Sequence, residues 1–85
     1  MMDYKILVEF HIPEIEEEYE AYIPINKTIG EVSNLLLRVI REKYSTFAEG
    51  GDIKLYDRYT YRVYRENDLI RNTGIKNGSE LIIIS

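Results

Sequence analysis

The four residues Thr28-Ile29-Gly30-Glu31 constrain this chain more than any others. They have the form of a capping box, in which the Thr28 hydroxyl accepts from the backbone N–H of residue 31 and the Glu31 carboxylate reaches back to the N–H of Thr28. Ile25, ahead of the cap, is placed to pair with Val32 as a loose staple. A helix therefore starts here. The three-and-four spacing of Val32, Leu35, Leu36, Val39, Ile40 and Tyr44 carries it from about Ile29 to Tyr44 with one buried face. Arg38, Arg41, Glu42 and Lys43 fall mostly on the wet side, with cations toward the C-terminus as the helix dipole prefers. Gly50-Gly51 then turns the chain.

Around this helix the pattern has period two. From Tyr4 to Ile12, the residues Tyr4, Ile6, Val8 and Phe10 point one way and Lys5, Leu7, Glu9 and His11 the other, as in a half-buried strand. Pro13 cannot donate to a ladder and helps end it. An acidic bend, Glu14 to Glu18, leads into a second strand with Tyr19, Ala21 and Ile23 on one face and Glu18, Glu20 and Tyr22 on the other, which completes a hairpin. Beyond the helix, Ile53 to Tyr56 is a third strand with Ile53 and Leu55 inward. Asp57 to Thr60 turns, and Tyr61 to Tyr64 forms a short fourth strand or extended segment. Asp68 to Ile75 makes a short helical turn ending on Gly74, where a positive φ is cheap. Asn77-Gly78 is a tight turn, and Leu81 to Ile84 is a final strand, apolar on both faces.

Eighty-five residues support a single domain spanning 1–85, with little room for a substrate cavity. Hydrophobic residues at 45% and charged residues at 31% give the balance of a globular domain rather than a disordered one. The absence of cysteine removes disulfides, thiolate metal sites and a cysteine nucleophile, and fits a reducing, cytoplasmic setting. A net charge of −4 argues against nucleic acid or an anionic membrane as the main partner. No apolar run approaches the roughly 20 residues that span a bilayer, and Met1-Met2-Asp3 carries an acid where a signal peptide would be basic.

The order of hairpin, helix and later strands is an α+β arrangement. The helix lies across one face of a mixed sheet of four or five strands, the first and last strands sit side by side in the middle, and the other face stays open. Ile23-Pro24-Ile25-Asn26-Lys27-Thr28-Ile29-Gly30-Glu31-Val32 resembles the strand-to-helix entry of ubiquitin, and Leu69 to Ile83 resembles ubiquitin's closing segment. That closing stretch is closer still to the bacterial ubiquitin-like proteins of the YukD/EsaB type. The resemblance implies a ubiquitin-like β-grasp with a short second helical turn, and a cytosolic helper of a bacterial type VII (ESX-like) secretion apparatus. Fold alone does not assign a role. The longer acidic bend and the segment rich in tyrosine and arginine from Asp57 to Glu66 depart from ubiquitin's pattern.

Ubiquitin and the β-grasp sulfur carriers act through a C-terminal Gly-Gly. Here only Ser85 follows the last strand, so a modifier or carrier role would need a tail beyond it. Attention moves to the open face, where alternation places Lys5, Leu7, Lys54, Tyr56, Ile82 and Ile84. In the resemblance, Tyr56 takes the place of the third-strand isoleucine of ubiquitin's recognition patch, Ile84 that of its last-strand valine, and Ile82 that of the histidine between them. An apolar stripe on a solvated face is costly unless something covers it. The expected site is thus a protein-binding patch of Leu7, Lys54, Tyr56, Ile82 and Ile84, with no catalytic residue, cofactor, metal or small-molecule substrate; a homodimer is one way to cover it. Arg58-Tyr59-Thr60-Tyr61-Arg62-Val63-Tyr64-Arg65 offers the interleaving that stacks bases, but cross-strand Tyr and Arg pairs are ordinary at a sheet edge. His11, the single histidine, has no triad partner and reads as a surface strand residue. The run Glu14 to Glu18 lacks the spacing of a calcium loop and reads as a solvated bend.

Overall fold

A computed structural model describes residues 4–85. The reading of Met1 to Asp3 therefore lies outside the described residues. The elements in order are β1 (Lys5–Ile12), a 3-10 turn (Pro13–Ile15), β2 (Glu17–Pro24), α1 (Ile29–Lys43), β3 (Lys54–Asp57), a second 3-10 turn (Ile70–Asn72) and β4 (Glu80–Ile84). The sheet order is β2-β1-β4-β3, with β1 and β4 parallel at the centre and the outer pairs antiparallel. This is the expected α+β β-grasp, built on four strands.

The capping box is present in full: Thr28 Oγ1 accepts from the Glu31 N–H at 3.1 Å, and Glu31 accepts from the Thr28 N–H at 2.9 Å. One face of the sheet packs against α1. Val8, Phe10 and Ile12 from β1, Ile23 from β2, Leu55 from β3 and Leu81 and Ile83 from β4 meet Ile29, Val32 and Ile40 in a single core. Burying each such side chain stabilises the fold by about 1.5–3 kcal/mol. Apolar β4 occupies the centre because both its neighbours withdraw it from water.

Three details correct or sharpen the pattern expected. Leu35 and Val39 are 44% and 63% exposed, while Ser33 is buried and Leu37 is half-buried against the core. The helix is thus turned toward its Ser33–Leu37 side. Of the two readings of Tyr61 to Tyr64, a fourth strand or an extended segment, the structure takes the second. A turn over 58–60 and a positive φ at Tyr61 leave only one bridge, between Val63 and Tyr56. The turn at Asn77-Gly78 also does more than reverse the chain, because Asn77 Oδ1 accepts from the Leu7 N–H at 2.8 Å and ties the turn to the central strand.

Candidate functional site on the open sheet face

Alternation along each strand sends the odd residues of β1 and the even residues of β2, β3 and β4 away from the helix. The pairing fixes how they meet. Across one line run Glu18, His11, Ile82 and Tyr56, each opposite the next. Across the neighbouring line run Glu20, Glu9 and Glu80. Lys54 lies opposite Ile84, and Leu7 opposite Tyr22.

This geometry brings together Tyr56, Ile82, Ile84 and Lys54 on β3 and β4. Tyr56 and Ile82 are half-buried, and Ile84 is 44% exposed at the end of the strand. Leu7 stands apart. It lies level with residue 78, four positions before Ile82, or about 13 Å along the strand axis, and the Glu9–Glu80 line runs between them. It borders exposed Tyr22 instead.

His11 is the correction that matters most here. It is not a surface residue but is only 9% exposed, held at the centre of a polar cluster. Glu18 Oε2 lies 3.1 Å from Nδ1, and Glu9 Oε2 and Glu80 Oε1 lie 3.0 Å and 3.3 Å from Nε2. Arg58 Nη1 reaches the same corner, 2.7 Å from Nε2 and 2.5 Å from Glu80 Oε1. The always-charged guanidinium makes the first contact only by donating, so Nε2 accepts there and the ring proton sits on Nδ1, toward Glu18. The Tyr59 hydroxyl donates to Glu80 Oε2 at 2.7 Å. That bond, helped by Arg58, holds the Glu80 carboxyl below the ordinary glutamate range and pushes the Tyr59 phenol up in return.

Glu9, His11 and Glu18 each offer a ligand atom within 4.8 Å of the others. The arrangement does not converge on a point, since Glu9 touches one ring nitrogen and Glu18 the other. The corner shared by Nε2, Glu9 and Glu80 already receives a cation, the Arg58 guanidinium. The acidic bend disperses too. Glu14 accepts from the Ser85 hydroxyl, Glu17 accepts from the Tyr44 hydroxyl at the end of α1, and Glu18 faces His11. Of the arginines in the tyrosine-rich segment, Arg58 is tied to Glu80 and Arg65 to Asp68. Tyr59 and Tyr61 are exposed.

The cluster was hard to find in the sequence because its members come from three strands and a loop. The alternation of Glu9 with His11, and of Glu18 with Glu20, was a usable signal only once the register was known.

No family model matches the chain, and no curated protein is similar to it in sequence. Solved structures are similar in fold. A chain of the MycP5-free ESX-5 inner membrane complex superposes with a TM-score of 0.76 at 14% identity over 95% of this chain, which spans only 21% of that one. The EccD5 ubiquitin-like domain from Mycobacterium xenopi gives 0.76 at 15% identity, covering 94% of this chain and 92% of that one. A component of the toluene 4-monooxygenase HD complex gives 0.79 at 8% identity, covering 93% and 95%. The fold is therefore the ubiquitin-like β-grasp.

Proposed function

We propose that this chain is a protein-interaction module that catalyses no reaction of its own and docks through the open face of its sheet. The observation that carries the reading is the contiguous patch of Tyr56, Ile82 and Ile84 beside Lys54, on a face that α1 does not cover. Apolar groups left in water on one side of a sheet favour whatever removes them from it. Contact there withdraws an aromatic ring and two isoleucines, the kind of small buried centre that dominates interface energetics. Leu7 contributes at the margin of the contact, next to Tyr22.

The finer assignment is an adaptor in a bacterial type VII (ESX-like) secretion system, acting in the cytoplasm. Its support is the resemblance of the closing segment to the YukD/EsaB type, together with the similarity in fold to the EccD5 domain and to a chain of the ESX-5 complex. Among the described residues, no helix is long and apolar enough to cross a membrane.

The test replaces Tyr56 with Glu and Ile84 with Asp and compares pull-downs from native lysate. Loss of the partner, with the circular dichroism spectrum unchanged, is the expected result. Undiminished recovery by a folded double variant contradicts the docking reading. Recovery of a partner unrelated to secretion removes the system-level assignment and leaves the docking reading standing.

A further inference from the structure

The patch has a neighbour with the opposite character. Glu20, Glu9 and Glu80 stand directly opposite one another across three adjacent strands, and like charges in that relation destabilise a sheet. Among the described residues, Arg58 is the one arginine or lysine paired with any of them, and the His11 ring lies against Glu9 and Glu80. Arg58 is committed to Glu80 and His11. Lys54, on the β3 edge of the face, turns to Glu66. Among the described residues, no lysine or arginine pairs with Glu20 or Glu9, and Glu9 lies 3.0 Å from His11 Nε2. Among the described residues, the Glu9–Glu20 end of the line therefore has no lysine or arginine partner, and it lies beside an uncovered apolar patch.

Resting on the docking reading above, we infer that the partner is a basic, aliphatic polypeptide segment: its lysine or arginine side chains lie over Glu9 and Glu20 while an aliphatic side chain covers Ile82 and Tyr56. Strand spacing and rise place those two halves about 8–16 Å apart, within the reach of one short segment. Charge complementarity supplies the argument. A partner of this kind relieves the repulsion that the free sheet bears, and the acidic line speeds and orients its approach. An acidic segment would meet the same line with added repulsion, so the face discriminates by charge as well as by shape. The cost of the glutamate line in the isolated chain is then the cost of selectivity, a trade between stability and function of a familiar kind.

The experiment is selection from a phage-displayed library of random peptides on the immobilised full chain, followed by titration of selected peptides against the 15N-labelled protein. Expected are sequences enriched in Lys or Arg next to Leu, Ile or Val that shift the amides of β1, β2 and β4. Their affinity should fall at least tenfold in the Glu9→Gln/Glu20→Gln variant and weaken steeply as salt is raised. The same variant should melt at a higher temperature than the parent, since it removes like-charge repulsion. Neutral or acidic peptides that bind this face as tightly, or basic peptides indifferent to the double substitution, overturn the inference while the docking reading survives. Enriched peptides whose binding withstands Tyr56→Glu, or a selection that yields none, defeat both.

Discussion

Three glutamates hold their carboxylates below the ordinary range for the residue, each for a nameable reason. At Glu80 the leading cause is the hydroxyl of Tyr59, at Glu17 the hydroxyl of Tyr44, and at Glu31 the backbone N–H of Thr28. A carboxyl whose folded pKa is depressed contributes stability above its unfolded value and loses it as pH falls through the folded one. Urea titrations across a pH series should therefore show stability declining below about pH 4.3, and Glu80→Gln should make that decline shallower. An equally steep decline in the variant would mean that the Glu80 contacts are not populated in solution. A second residue-scale expectation concerns Glu16, an exposed side chain at φ 54. The left-handed region costs an L-residue roughly 1–2 kcal/mol and glycine almost nothing. Glu16→Gly should raise the unfolding free energy by about 0.5 kcal/mol, the remainder being lost to glycine's greater chain entropy. The strain at Glu16 left no trace in the sequence. Nor did the burial of His11, because both depend on how distant strands and the Arg58 loop come together.

At the scale of elements, the helix start was legible and the helix face was not. The capping box needs only residues three apart, so it reads directly from Thr28 and Glu31, and it is formed as read. Thr28→Ala should lower stability by about 1 kcal/mol and Thr28→Ser should restore most of it, measured by chemical denaturation. The buried face depends instead on where the sheet sits. α1 carries apolar side chains around more than half its circumference, and the spacing rule accepted Leu35 and Val39 along with Leu36 and Ile40. Packing chose the stripe through Ile29, Leu36 and Ile40, leaving Leu35 and Val39 in water. Truncation should separate the two sets, with Ile40→Ala costing about 2–4 kcal/mol and Val39→Ala under 0.5. Comparable losses would show that the helix is rotated from its described position. The strands were easier. Leu81 to Ile84 reads as central because it is apolar on both faces, whereas the residue types of Tyr61 to Tyr64 leave strand and extended segment open, and the turn before it holds it to one bridge.

For the whole molecule, the two faces of the sheet have separate tasks. One is sealed by α1 into the core. The other divides into an apolar patch on β3 and β4 and an acidic line across β2, β1 and β4, joined at His11. That division was half legible: Lys54, Tyr56, Ile82 and Ile84 follow from alternation, but the separation of Leu7 and the existence of the acidic line follow from the parallel register of β1 with β4. A second exposed apolar pair, Leu35 and Val39, sits on the opposite side of the molecule and offers a direct competitor to the open face. The most direct measurement is amide hydrogen exchange of the chain in complex with its co-purified partner, followed residue by residue. The account predicts new protection at Tyr56, Ile82 and Ile84, spreading to Glu9 and Glu20, with the outer face of α1 exchanging as in the free chain. Protection confined to the turn of helix carrying Leu35 and Val39, with β3 and β4 unchanged, would contradict it.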